Sequence, residues 1–192
     1  MTAEAGSVQL AHGRPFTVDD LEAMPADGNR YELIDGMLIV SPAPGLSHQT
    51  VVGNIFVALL AACPPDMHAV VAPFAVRPSQ TTELQPDVLV ARKEDFTKKL
   101  LPVAPALAVE VFSPSSVLNL NNKKAAYQRL GVKNYWVIDP EAPTLTAFEL
   151  DDSGVYRQVA EVKDTDVFEA REPFPVRISP VDLLDWLAEQ ED

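Results

Sequence analysis

Apolar and polar positions change period several times along the chain, and each change marks an element. Val51, Val52, Ile55, Phe56, Leu59, Leu60 and Cys63 recur at helical offsets between Ser47 and Cys63, an apolar stripe that Pro64-Pro65 ends. Phe16–Met24 reads as a short helix with Thr17 as N-cap, Asp19 and Asp20 in its positive first turn, and Pro25 as its stop. Tyr31–Val40 is two apolar runs around Asp35-Gly36, a strong hairpin signal. His68–Val76, Asp87–Ala91 and Ala106–Phe112 read as strands. In the last, Leu107–Phe112 is almost continuously apolar, the pattern of a strand buried on both faces. Asn119–Leu130 predicts a helix with Gly131 just past its end, followed by an apolar strand Tyr135–Asp139 closed by Pro140. Thr144–Leu150, Tyr156–Val162 and Val176–Ile178 predict a terminal antiparallel set. Ser179–Leu187 predicts a closing helix capped by Ser179, with Pro180 in its first position. The order predicts one mixed α/β (α+β) domain over residues 15–190, a central sheet flanked by helices, behind a loose arm at 1–14.

Composition narrows the function classes. Of 192 residues, 15 are Lys or Arg and 28 are Asp or Glu, so the formal net charge is −13. That field opposes anionic membranes and broad electrostatic binding of nucleic acid, so a nucleic-acid role needs local cations or a metal. The single cysteine, Cys63, excludes an intramolecular disulfide and sits in an apolar run, as an inert buried thiol does. No apolar run approaches the ~20 residues of a membrane span. Residues 1–13 lack the pattern of a signal peptide, and the expectation is a cytoplasmic protein.

There is no glycine-rich phosphate loop, zinc-binding His-Glu-x-x-His or Gly-x-Ser-x-Gly elbow. The three histidines, His12, His48 and His68, match no common zinc spacing. What stands out is acids beside or inside apolar strands. Asp87 opens Val88-Leu89-Val90, Glu110 lies within Leu107–Phe112, and Glu32 opens the hairpin. A buried carboxylate costs several kcal/mol unless paired, hydrogen-bonded or metal-bound. Acids converging at strand ends form an oxygen-rich site for Mg²⁺ or Mn²⁺, whereas acids that merely end strands face water. Glu110, apolar on both flanks, is the hardest to read as a surface acid.

Pro86-Asp87, Val109-Glu110-Val111, Ser113-Pro114-Ser115, Lys123, Tyr127 and Gly131–Pro140 resemble the Uma family. This bacterial family belongs to the PD-(D/E)xK restriction-endonuclease-like superfamily. Tyr31–Gly36 and Ser47-His48 are similar to it too, so the resemblance runs over residues 16–188. It implies an α-β-β-β-α-β core and a metal-dependent endonuclease acting on DNA as a homodimer. Asp87 and Glu110 would bind Mg²⁺ or Mn²⁺ with the Val111 carbonyl, and Glu32 would add a carboxylate. The strict motif places a lysine where this chain has Phe112. The resemblance implies that Lys123, on the following helix, supplies it, with Lys124 as second choice.

Catalytic candidates are therefore Asp87, Glu110, Lys123 and Glu32. His48, Ser113 and Lys124 are candidates for contacting a phosphate, as are Ser115 and Ser116 of the same turn. Lys123 and Lys124 also read as solvated surface lysines. If Lys123 is the relocated lysine, it acts on the transition state and not on folding, and Lys123→Ala is expected to leave stability nearly unchanged. Two other functions compete on the same residues. One is a non-catalytic interaction or regulatory module that keeps the fold. The other is a metal-dependent hydrolase of a small phosphorylated or nucleotide substrate, which tolerates net acidity better than duplex DNA does.

Overall fold

The computed structural model describes residues 8–9, 13–113 and 117–189; His12, Ser115 and Ser116 lie outside the described residues. The fold is mixed α and β, with two six-stranded sheets and a separate two-stranded hairpin. The first sheet has the order β1(Val8–Gln9), β3(Met37–Ser41), β2(Arg30–Ile34), β6(Thr82–Leu84), β5(Ala75–Ser79), β8(Leu100–Leu101). The second runs β12(Tyr156–Lys163), β11(Thr144–Leu150), β10(Asn134–Asp139), β9(Leu107–Val111), β7(Val88–Arg92), β4(Met67–Val71). All pairs are antiparallel except β5·β8 and β9·β10. Parallel β9 and β10 need a crossover, which α3(Val117–Leu130) provides. With α2(Leu46–Ala62), the succession α2, β4, β7, β9, α3, β10 is the α-β-β-β-α-β core, with β5, β6 and β8 inserted between its members.

Strand alternation sorts the core. Val88, Val90, Leu107, Val109, Val111, Trp136 and Ile138 share one face of the second sheet and pack under Val51, Val52, Ile55 and Leu59 of α2. Ala108 and Tyr135 look the other way, into a core with Ile34, Ile39, Leu84, Ala126 and Tyr127. Asp87 and Glu110 have the parity of that second face. All five residues of β9 are buried, as the apolar run Leu107–Phe112 anticipates.

The short helix α1(Val18–Glu22) carries a capping box, with the Asp20 carboxylate accepting from the Thr17 N–H at 2.8 Å. The Asp35-Gly36 turn has positive φ at both residues, +52° and +79°, as a two-residue hairpin requires.

Four expectations are corrected. Val8–Gln9 of the loose arm is an edge strand beside β3, with Val8 opposite Ile39. His68–Val76 is not one strand: it divides around Pro73, and its halves, β4 and β5, join different sheets. Val176–Ile178 does not extend the sheet of β10–β12 but pairs with Phe168–Ala170 as the isolated hairpin β13·β14. The closing helix is two 3₁₀ turns, Val181–Leu183 and Asp185–Glu189, separated where Asp185 takes φ +56°. Consecutive Leu183 and Leu184 both enter the α2 core, and the Ser179 hydroxyl donates to the Asp164 carbonyl instead of capping. Among the described residues no helix is long and apolar enough to cross a membrane.

Candidate active site

The two sheets and two helices meet at a buried cluster of charge. In the antiparallel pair β7·β9, Val88 faces Val109, so Asp87 and Glu110 are the next pair in register and project to the same face. The Val111 N–H donates to Asp87 Oδ2 at 2.9 Å, locking that carboxylate across the strand pair. From the first sheet, alternate residues Arg30 and Glu32 of β2 point towards them. Arg30 Nη1 donates to Asp87 Oδ1 at 2.8 Å, and its Nε lies 3.5 Å from Glu32 Oε2. The Gln85 N–H donates to Glu32 Oε1 at 2.7 Å. Lys123 and Tyr127, spaced i, i+4 on α3, reach the same place. The Lys123 ammonium is 2.9 Å from Glu32 Oε1 and 3.1 Å from both Glu110 oxygens, and the Tyr127 hydroxyl donates to Glu110 Oε1 at 2.7 Å. His48, in the first turns of α2, places Nε2 3.2 Å from Asp87 Oδ2.

Burial makes this cluster electrostatically demanding. Glu32 is 0% exposed, and Asp87, Glu110 and Lys123 are each 2% exposed. Three carboxylates face two permanent cations, Arg30 and Lys123. Burial, reinforced by the charges of Asp87 and Glu32, raises the Glu110 carboxyl to about 7 against the opposing pull of Lys123 and Arg30. Burial also opposes ionisation of Asp87, but the hydrogen bond with His48 and the charges of Arg30 and Lys123 outweigh it and hold that carboxyl well below the usual range. Burial works against the Lys123 ammonium too, yet Glu110 and Glu32 prevail and its pKa rises. Lys123 is therefore a fixed positive charge and not a free amine base.

Of the residues singled out from sequence, the structure brings Glu32, His48, Asp87, Glu110, Val111 and Lys123 together. Ser113 borders a small recess of about 90 Å³ beside Glu110, Lys123 and Leu120. Lys124 is not brought in: it turns away on α3, its ammonium 3.4 Å from the centre of the Phe148 ring. Phe112, at the strict motif's lysine position, borders the same region as Lys124, Tyr135 and Phe148. Sequence reasoning missed Arg30. Its signal was available: two residues before Glu32 in a strand, it must share that acid's face. Among the described residues, no group of three or more His, Cys, Asp or Glu side chains is gathered as a preformed metal site, because Lys123 and Arg30 stand between the acids.

A family profile described as "Uma2: Putative restriction endonuclease" matches residues 18–185. The chain belongs to this family. The Uma2 span includes every member of the cluster, from Arg30 to Tyr127. A crystal structure titled as a "putative nuclease belonging to DUF820" from Anabaena variabilis ATCC 29413 matches with a TM-score of 0.71. That match covers 90% of the Uma2 chain and 99% of the other, at 19% identity, and so shows a shared fold. No curated protein matches the chain.

Proposed function

We propose that this Uma2 chain is a divalent-metal-dependent endonuclease that hydrolyses phosphodiester bonds of DNA. The observation that carries the reading is the convergence of Asp87, Glu110, Glu32 and Lys123, from separate elements, in one buried cluster. Burying three carboxylates works against folding until each is paired, so their company favours chemistry over architecture.

The donor set fits a hard cation such as Mg²⁺ or Mn²⁺. Carboxylate oxygens predominate, positive charge falls short by one, and Glu32 Oε2 has no hydrogen-bond partner. Asp87, Glu110 and the Val111 carbonyl would hold the ion, with Glu32 beside them. When bound, it would neutralise phosphate charge and acidify a water. Lys123, held as an ammonium, stabilises the negative charge that grows on the phosphorus oxygens. His48 and the Val111 N–H keep Asp87 oriented. The partly exposed Arg30 guanidinium is the group able to meet an incoming phosphate oxygen.

Supercoiled plasmid and single-stranded DNA incubated with Mg²⁺ or Mn²⁺ test this. Cleavage should stop with chelator and fall at least ~100-fold in Glu110→Ala, the scale of losing a central transition-state group. Calorimetric titration with Mn²⁺ should show heat that Asp87→Ala abolishes. Absence of DNA cleavage would overturn the nuclease reading, and absence of Mn²⁺ heat its metal dependence. The net charge of −13 favours, as a second reading, a hydrolase of small nucleotide-like substrates using the same acids. Release of phosphate from nucleotides without DNA cleavage would select it. The outer edge of β12 pairs with no described strand and is the expected seam of a homodimer.

A further inference from the structure

Next to the acid cluster lies a cavity of about 520 Å³, within the ~300–1,000 Å³ range of small-molecule sites. Arg30, His48 and Asp87 belong to both the cluster and the cavity wall. A molecule whose phosphate reaches the cluster therefore has the rest of its structure directed into this space. The geometry points to a nucleoside pocket, which takes the unpaired base and sugar of a nucleotide whose phosphate lies at Arg30. This deepens the reading of the cluster as a phosphodiester-cleaving site and rests on it.

The walls suit a flat heterocycle. Met24, Pro44, Pro73 and the ring of Tyr31 supply apolar surface, and the Tyr31 hydroxyl is tied down by donating to Asp27 at 2.7 Å. Asn29, Gln49 and Gln85 also line the space, and a carboxamide offers both a donor and an acceptor, as base edges do. The remaining charged groups of the wall, Glu22 and Glu83, are bridged by Arg77. That end is net negative and repels a second phosphate, so the charged part of the ligand belongs at Arg30 and the neutral part in the cavity. A base inside a duplex cannot enter such a space without leaving its stack. The chain's net charge of −13 offers little to hold a duplex backbone while that happens. Recognition through one base and one phosphate answers both constraints.

Free nucleotides and single strands carry the same chemistry, and binding measurements separate them. The probes are dAMP, deoxyribose 5-phosphate, a single-stranded hexanucleotide and its blunt duplex, each in EDTA and with Mg²⁺. The variants are Gln49→Trp and Asn29→Trp, which fill the cavity from exposed backbone positions, with circular dichroism and Tm as fold controls. The expected result is dAMP or the hexanucleotide binding at least tenfold more tightly than the sugar phosphate and the duplex. Both variants should weaken that binding at least tenfold. A stronger signal for dAMP assigns a free nucleotide as ligand, and one for the hexanucleotide a single strand. Binding of dAMP and the hexanucleotide that is no tighter than that of the sugar phosphate overturns the pocket, as does binding that survives both substitutions in folded protein. Nucleotide binding without any DNA cleavage would sink the nuclease reading and leave the pocket standing. DNA cleavage untouched by either variant would do the reverse.

Discussion

Lys123 shows how far burial changes the meaning of a residue. As a surface lysine its removal is nearly silent, but it is 2% exposed and bridges Glu32 and Glu110. Removing one member of a buried ion pair typically costs ~3–5 kcal/mol, because the partner is left charged and alone. Lys123→Ala should therefore destabilise the protein by roughly that amount in urea denaturation at neutral pH. The double variant Lys123→Ala/Glu110→Gln should recover part of the loss, since it removes one of the stranded charges. Lys124→Ala, which loses only a ring contact with Phe148, should cost below ~1 kcal/mol. Equal losses for the two lysines would contradict this account of the cluster. Glu110 carries a pH signature. Its folded pKa, raised to about 7 from 4.5, lets the native state keep a proton that the unfolded chain has already released. The stability this contributes is complete below pH 4.5 and drains away as pH rises through 7. In metal-free buffer, stability followed from pH 5 to 8 should decline, and Glu110→Gln should remove that decline. Asp87, held low, has the opposite dependence and loses its contribution only in stronger acid.

At the scale of elements, the hairpin turn at Asp35-Gly36 ties β2, and with it Arg30 and Glu32, to the rest of the domain. Gly36 has φ +79°, and a Cβ there would overlap Pro15. The Gly36 N–H donates to the Thr81 carbonyl at 2.7 Å, and its own carbonyl accepts from the Phe16 N–H at 2.9 Å. Gly131, just past α3, has φ +80° but open space around the missing Cβ. Gly131→Ala should thus show mainly the backbone penalty, about 1 kcal/mol. Gly36→Ala adds a collision with the rigid ring of Pro15 and should cost clearly more, with a larger fall in Tm. A smaller loss at Gly36 than at Gly131 would mean that the Pro15 segment gives way without cost.

For the molecule as a whole, charge and edges set the expectations. A net charge of −13 favours solubility and keeps copies apart unless a specific interface overrides it. The second sheet ends in β12, where Val159 is 48% exposed and five of the eight residues of the strand are exposed. Light scattering should give a particle of twice 20.9 kDa. A proline in the outer edge of β12, Val159→Pro, should shift it towards monomer. A monomer persisting at high concentration in the unmodified protein would rule out the β12 seam.

Periodicity and local chemistry determined much of this protein by themselves. The Asp35-Gly36 hairpin, the Thr17 cap, the fully buried β9 and the α2 stripe, apart from the exposed Leu60, depend on neighbours within a few residues, so they are legible in the chain. The anomaly of an acid inside that apolar strand was equally local, and it singled out Glu110. The tertiary structure decided which distant residues keep it company. Arg30 enters because β2 belongs to the first sheet, a different one from that of β7 and β9, and sheet assignment depends on pairings about fifty residues apart, such as Leu33 with Glu83. Lys123 is buried because α3 crosses over from β9 to β10 and turns that one face inward, a rotation its Lys-Lys pair does not reveal. The closing segment failed as a helix for the same reason. Leu183 and Leu184 found their place against α2, and that packing outweighed a weak local preference for helix.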